Sequence, residues 1–383
     1  MRAGIRRGFR LARVLGIPIS IDYSWFLVFA LFVWMLGGVA FPAAYPGVPP
    51  LHLWAAGLAA ALLFFGSVLA HELSHSLVAR ALGLRVMGIT LFVFGGVSTL
   101  AEEPEDGWAE IKIAAAGPLL SFCLGATFWV IAGFVSTTGW GPPLAAEVLG
   151  YLALANGILG LFNLVPGFPL DGGRVLRAIW WIGSGSFVRA TRVATAVGSA
   201  VALLLIGLGF VRAILGDLGG LWLVLIGLFL RSAASAARRE SDLRTLLAGA
   251  TVGDVMTPDP ARIPAGVTLQ EAATEYFQRF GLDGFPVIRN GHVCGLVTLR
   301  DLHAVRGPER AEWTVEQAMT PMEDLSTAGP GEAVRTLMER LAREGREASL
   351  VMEGSRLVGL VSLRGLGRYL ELRRMDIEPP GAG

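Results

Sequence analysis

The feature that most restricts this chain is a succession of long apolar runs, almost free of charge, in its first 240 residues. They are Tyr23 to Phe41, Leu53 to Ala79, Ile113 to Gly133, Val148 to Leu164, Val193 to Val211 and roughly Ile214 to Leu230. Each approaches the ~20 residues that a helix needs to cross the hydrocarbon core of a bilayer. Backbone in lipid must satisfy its own hydrogen bonds, so runs of this length predict helices. Composition agrees, with 53% hydrophobic and only 16% charged residues, where soluble chains carry about a quarter charged. Charged residues return at ordinary density after Arg238, which marks the main boundary. The net charge of +1 gives no support to nucleic-acid binding or to an acidic partner. Cys123 and Cys294 form no spaced pair, so neither a disulfide framework nor a CxxC metal site is indicated.

Basic residues set the expected orientation. Arg2, Arg6, Arg7, Arg10 and Arg13 precede any acidic residue, and Arg80, Arg85, Arg174, Arg177, Arg189, Arg192, Arg231, Arg238 and Arg239 lie on the same side. The stretches Pro42 to His52 and Ser136 to Pro143 contain no Lys or Arg. About six spans with both termini in the cytoplasm of a cell-membrane protein fit this pattern. A cleaved signal peptide is the competing reading of the first run, but further spans follow it, which favours an uncleaved helix. Between the second and third spans, Val86 to Leu100 is apolar but short, rich in β-branched and aromatic residues, and contains Gly95-Gly96. It predicts a strand or hairpin. The acidic cluster after it, Glu102, Glu103, Glu105 and Asp106, reads as a solvated loop.

The second half repeats itself. Val252-Gly-Asp-Val-Met-Thr-Pro258 recurs as Val315-Glu-Gln-Ala-Met-Thr-Pro321, and Gly295-Leu-Val-Thr-Leu-Arg-Asp-Leu302 as Gly359-Leu-Val-Ser-Leu-Arg-Gly-Leu366. Each unit mixes helical stretches (Leu269 to Phe280; Glu332 to Arg343) with short β runs (Phe285 to Ile288; Ser349 to Met352). One compact α/β unit therefore occurs twice in tandem.

Chemistry concentrates in the second span, which contains His71-Glu-Leu-Ser-His75. Residues four apart share a helix face, so both imidazoles can address one ion with Glu72 beside its bound water. HExxH alone is a weak motif. Here His71, Glu72 and His75 are the only ionisable residues between Leu53 and Ala79. Ionisable groups at membrane depth cost a few kcal/mol and are functional by default. Two histidines leave a zinc short of ligands. His75 lies five residues before Arg80, or ~8 Å from the cytoplasmic edge at ~1.5 Å per residue. The fourth span runs in the same direction and ends in Asn163-Leu-Val-Pro-Gly-Phe-Pro-Leu-Asp-Gly-Gly-Arg174. Asp171, its first carboxylate, falls at the level of the histidines. A helix N-cap is the structural alternative for Asp171 and stays open on these grounds.

HELSH in one span and NLVPGFPLDGG in another resemble the paired motifs of the site-2 protease family, as do Ala115-Ala-Gly-Pro-Leu119 and Gly16-Ile-Pro-Ile19. The likeness covers about residues 10 to 240, and the repeat resembles tandem cystathionine-β-synthase (CBS) domains. The resemblance implies an intramembrane zinc metalloprotease with one Zn2+ held by His71, His75 and Asp171, and Glu72 as general base. It implies Asn163 near the site, orienting substrate or oxyanion, and Gly95 and Gly96 in a strand that holds substrate. Its substrates would be membrane-anchored regulators such as anti-sigma factors, cut in regulated intramembrane proteolysis. CBS pairs bind adenine nucleotides (AMP, ADP or ATP) through a hydroxyl residue and an Asp three positions later. The first repeat keeps these as Thr298 and Asp301, whereas the second has Ser362 but Gly365. Tandem units also pair with a second copy, which implies a homodimer.

The expected fold is a polytopic α-helical membrane protein of about six transmembrane helices with a C-terminal cytosolic α/β tandem CBS module. The expected division is a protease domain at 1–240, a linker at 241–250, CBS domains at 251–310 and 311–375, and a disordered tail at 376–383. A membrane transporter or channel gated by its CBS module is the competing class. It predicts polar residues near the midplane spread over repeated halves, and no repeat is visible in the spans.

Overall fold

The computed structural model describes residues 8–142 and 144–377. Arg2, Arg6, Arg7 and the segment 378–383 of the expected tail lie outside the described residues. The chain divides into two compact units between Ser241 and Asp242.

The first unit is built on helices α1 (Tyr23–Ala44), α2 (Pro50–Ala81), α3 (Gly107–Thr138), α4 (Ala145–Asn163), α5 (Asp171–Ser184), α6 (Phe187–Ile214) and α7 (Gly219–Leu246). All but α5 are long and apolar enough to cross a membrane, and they coincide with the six expected runs. α1 passes through a π-helical stretch at Trp34–Ala40. Large side chains such as Leu27, Trp129 and Leu204 point outward and are highly exposed, whereas Ala60, Ala61, Ala114, Ala190, Ala194 and Ala202 are fully buried. Small residues inside and large apolar ones outside suit helices that associate in lipid. There the gain comes from close backbone approach rather than from hiding apolar surface.

A four-stranded sheet sits beside these helices in the order β1 (Gly8–Val14), β2 (Ile17–Asp22), β3 (Val86–Phe92), β4 (Gly95–Leu100). The expected hairpin is β3–β4, antiparallel with Phe92 opposite Gly95. The N-terminal hairpin β1–β2 was not expected. It joins β3 in parallel through Ile19, Ser20 and Ile21 and buries Ile17, Ile19 and Ile21 on one face, the period-2 pattern of a half-buried strand. Hydrogen bonds at two places join the N-terminal hairpin and the β3–β4 turn to the helices. Arg80, at the end of α2, donates to the Leu15 carbonyl at 2.6 Å, and the Val93 N–H donates to Ser24 Oγ at 3.2 Å.

In the second unit each repeat contributes a β-hairpin: β7 (Gly284–Arg289) with β8 (His292–Thr298), and β10 (Ala348–Glu353) with β11 (Arg356–Ser362). The short strands β5 (Thr257–Pro258) and β9 (Thr320–Pro321) cross over. Thr257–Pro258 of the first repeat pairs with Gly359–Leu360 of the second, and Thr320–Pro321 of the second pairs with Gly295–Leu296 of the first. The two repeated sequence motifs are thus each other's partners. A Cβ at Gly359 would stand 2.5 Å from Met256 Sδ, and one at Gly295 2.5 Å from the Thr320 carbonyl oxygen. The glycines are the condition for the exchange. β6 (Ile263–Pro264) completes the first sheet beside β7.

Candidate metal centre

α2 runs for 32 residues and places His71 and His75 one turn apart, facing the bundle and almost fully buried. Asp171 is the first residue of α5, and its helix is capped from Leu170 without a side-chain hydrogen bond. The carboxylate is therefore not spent on capping. It turns to the histidines: Oδ2 lies 3.1 Å from His71 Nε2 and 3.1 Å from His75 Nε2, which are 3.2 Å from each other. The structure brings together the three residues that the sequence proposed as ligands. Local sequence explains how Asp171 gets there. A Cβ at Gly172 would meet the Leu164 carbonyl oxygen at 2.2 Å, and one at Gly173 the Gly167 carbonyl carbon at 2.2 Å. The two glycines let the segment after α4 fold back under the first turn of α5.

The far nitrogens are held by α3. His75 Nδ1 donates to the Ile113 carbonyl at 2.6 Å, and His71 Nδ1 lies 2.9 Å from Ser121 Oγ. A carbonyl only accepts, so His75 carries a proton on Nδ1, and in the neutral form of that ring the Nε2 lone pair faces Asp171, as a metal ligand requires. With both rings in that form three lone-pair atoms converge at 3.1–3.2 Å, a repulsion that a cation would relieve. A tetrahedral zinc with bonds of about 2.0–2.1 Å has ligand–ligand edges of about 3.4 Å, so the cluster fits that ion closely. Among the described residues, His71, His75 and Asp171 form the one group of three or more such side chains able to hold a metal.

α3 closes the site with bare backbone. A Cβ at Gly117 would stand 2.2 Å from His75 Nε2 and 2.5 Å from His71 Nε2. Glu72, next in sequence to the first histidine, is half-buried against β4: a Cβ at Gly96 would meet Glu72 Cγ at 2.4 Å. Among the described residues its carboxylate has no recorded protein hydrogen bond, which leaves it available to water. Ser76 and Ser98, joined at 2.8 Å, tie the same strand to α2. Gly95 stands at the hairpin turn with a positive φ of 130°. Asn163, the last residue of α4, donates to its own helix at the Leu159 carbonyl (3.0 Å) and makes no recorded bond to the metal-binding trio.

Sequence reasoning missed Gly117, Ser121 and Asn156. Gly117 lay within the motif Ala115-Ala-Gly-Pro-Leu119, but nothing in one sequence says what stands opposite a glycine. Ser121, a hydroxyl in an apolar helix, was the weak signal for a buried hydrogen bond. Asn156 is fully buried in α4 and donates to Ser67 Oγ, one turn before His71, at 3.3 Å.

In the second unit Thr298 and Asp301 also come together, but on each other. The Thr298 N–H and Oγ1 both donate to Asp301 Oδ2 at 2.8 Å, forming the capping box of the helix Leu299–Ala304. In the second repeat Ser362 caps alone, accepting from the Gly365 N–H at 3.1 Å. Beside these caps lies a cavity of about 570 Å³ lined by matching residues of the two repeats, Leu299 with Leu363 and Arg300 with Arg364.

The model of peptidase family M50 matches residues 59–146 and 143–206, and the CBS domain model matches 252–306. The zinc metalloprotease Rip3 of Mycobacterium tuberculosis (strain H37Rv) is 37% identical over 380 residues, 98% of this chain and 96% of that one. The chain belongs to peptidase family M50, the site-2 proteases. Another relative, zinc metalloprotease MJ0392 of Methanocaldococcus jannaschii, is 29% identical over 369 residues, 96% of this chain and 98% of that one. Among solved structures, the site-2 protease from M. jannaschii aligns over 60% of this chain and 95% of that chain, with 31% sequence identity and a TM-score of 0.43. The M50 chain is therefore a zinc metallopeptidase and a multi-pass membrane protein with a C-terminal CBS pair. The transporter reading falls away.

Proposed function

We propose that this M50 peptidase hydrolyses a peptide bond within or near a transmembrane segment of a membrane-anchored protein, using one Zn2+ held by His71, His75 and Asp171. The observation that carries the reading is the convergence of those three side chains inside a bundle of membrane-length helices, with Glu72 alongside. When bound, zinc supplies a water of pKa near ~7 and positive charge for the developing oxyanion. Glu72 accepts the proton of the attacking water, and Asn163 orients the substrate carbonyl. The Ile113 carbonyl and Ser121 hold the imidazoles in the tautomer a metal requires. A substrate helix must unwind before cleavage, since its carbonyls are otherwise hydrogen-bonded. β4 is an edge strand, and Gly95 and Gly96 on it offer backbone to the unwound stretch by strand addition.

The protease domain occupies residues 1–240, a linker 241–250, and CBS domains 251–310 and 311–375. The arginine pattern supports a cell-membrane protein with its N-terminus and CBS module in the cytoplasm. Family resemblance supports single-span regulators such as anti-sigma factors as substrates. Thr298, Asp301 and the arginine-lined cavity between the repeats support adenine-nucleotide regulation through the CBS pair, which also suits a homodimer. Titration calorimetry of the full-length protein in detergent with AMP, ADP and ATP tests the nucleotide reading, and absence of heat with all three defeats it. Cleavage of a tagged single-span substrate by wild type and Glu72→Gln tests the protease reading. Wild type cuts and the variant does not. Equal cutting by both refutes the role given to Glu72.

A further inference from the structure

Two helices meet at the metal-binding group, α3 through Gly117 and α5 through Asp171, and the same two meet again at a buried ion pair that the chemistry above does not use. Glu110, in the first turn of α3, is completely buried, and Arg177 of α5 is 6% exposed. Glu110 Oε1 accepts from Arg177 Nε at 2.9 Å and also from its Nη2, while the more exposed Arg174 Nε stands 3.8 Å from the same oxygen and Glu103 Oε2 3.6 Å from Arg177 Nη2. The guanidinium lies over the Phe168 ring at 5.1 Å and the Phe187 ring at 4.7 Å from the centroids. Glu110 Oε2 is buried without a partner.

The placement of these groups says what the pair does. Phe168 belongs to the segment that delivers Asp171, and Phe187 opens the helix after α5. One guanidinium therefore grips α3, the approach to α5 and the exit from it. Glu110 and Gly117 are seven residues apart, two turns and about 10.5 Å along one face of α3. Fixing Glu110 fixes how far the bare backbone of Gly117 stands from the imidazoles. Arg177 follows Asp171 by six residues, about 9 Å along α5. Contact at this level is already backbone-close, since a Cβ at Gly107 would meet the Ala178 carbonyl oxygen at 2.9 Å. A charged pair in this setting is costly to bury and is a poor source of stability compared with apolar residues of the same shape. Two charge-assisted hydrogen bonds from one guanidinium converging on Oε1 are directional and fix one register between the helices.

We propose that Arg177 and Glu110 are positioning residues for the metal centre: their buried, aromatic-clamped pair sets the register of α3 against α5 and thereby holds the Asp171 carboxylate on the two histidine nitrogens. The proposal rests on the zinc reading of His71, His75 and Asp171. Its test is zinc affinity of the full-length protein in detergent, by competition with a chromophoric chelator, together with the visible spectrum of the Co2+-loaded form. Variants are Arg177→Gln, Arg177→Lys, Glu110→Gln and His71→Ala, each taken as monodisperse, folded protein. A partner hydrogen-bonded to a metal ligand is worth about 10–100-fold in affinity, and a pair that acts on the ligand through helix register is expected to be worth about 10-fold, the low end of that range. That loss is expected for Arg177→Gln and Glu110→Gln, with a changed Co2+ spectrum, and Arg177→Lys is expected to recover part of the affinity. A residue that serves stability alone would lower the thermal midpoint and leave affinity and spectrum unchanged in the folded fraction. That result overturns the proposal.

If a single variant fails to fold, Glu110→Gln with Arg177→Met removes both charges together and leaves no lone buried ion. Weakened zinc binding in that folded double variant supports the proposal, and wild-type affinity overturns it. Unchanged zinc affinity in His71→Ala instead defeats the metal-site reading itself, a failure distinguishable from that of the positioning pair.

Discussion

Between the two histidines and the backbone of α3 there is no room for a methyl group. The contact at 2.2 Å from His75 Nε2 means that Gly117→Ala puts carbon where the proposed zinc ligands converge. Zinc affinity of the purified Gly117→Ala protein, measured by competition with a chelator, is expected to fall by at least the ~10–100-fold seen when metal surroundings are disturbed. Wild-type affinity in the variant would contradict the wall assigned to Gly117. Ser121→Ala is the milder version. It removes the hydroxyl 2.9 Å from His71 Nδ1, leaves the steric wall intact, and is expected to weaken zinc by about 10-fold, the low end of the same range. The contrast between these residues and the ligands explains what was legible. His71 and His75 declare themselves by helical spacing, and Asp171 by its depth relative to them. Gly117 and Ser121 act only through what stands opposite, and that is a fact of packing between distant segments.

Strand β4 and helix α2 meet through Gly96, where a side chain would drive into Glu72 Cγ at 2.4 Å. Because Glu72 is not among the proposed ligands, Gly96→Val separates chemistry from metal binding. Zinc content is expected to stay at the wild-type level, while cleavage of a single-span substrate falls by up to about 10²–10⁴-fold, the range of a displaced general base. Loss of zinc along with activity would mean that β4 supports the metal site instead. The hairpin turn beyond Gly96 is held from outside the sheet, with Phe94 stacked on Phe229 of α7 at 4.3 Å. The hairpin β3–β4 was readable because Val86 to Leu100 is apolar, β-branched and too short to span. β1–β2 was not, since Ile17, Ile19 and Ile21 alternate over only six residues and follow an arginine-rich segment that dominates the reading. In the tandem module the repeats were legible as sequence, but their exchange of short strands was not. Pairing of Thr257 with Leu360 joins segments about a hundred residues apart.

Charge at the ends of the spans is the property on which the arrangement of the whole molecule turns. The positive-inside rule counts arginines in short loops, yet several of those counted are engaged in the fold. Arg177 is buried on Glu110, and Arg80 is bound to the Leu15 carbonyl. One lone arginine, Arg212 in the last turn of α6, departs from the pattern without overturning it. It lies 2.9 Å through Nε from Asp217 Oδ2, and the Arg212 guanidinium holds that carboxyl below the usual carboxylate range. Arg212 is one arginine against the many counted on the other side, so it carries little weight in setting orientation. Discounting Arg80 and Arg177 still leaves Arg10, Arg13, Arg85, Arg174, Arg189, Arg192, Arg231, Arg238 and Arg239 among those counted on one side. The stretch Pro42 to His52 still has none. Six crossings return the chain to the side where it began, so one experiment fixes every loop. Single cysteines in place of Tyr45 and Arg239, in a background with Cys123 and Cys294 replaced by Ser and Ala, are expected to label oppositely with an impermeant maleimide applied to intact cells. Position 45 reacts at once, and position 239 only after permeabilisation. Labelling of both before permeabilisation would break the odd number of crossings between them, the five helices α2, α3, α4, α6 and α7, and the reverse order would invert the side from which water reaches His71, His75 and Asp171.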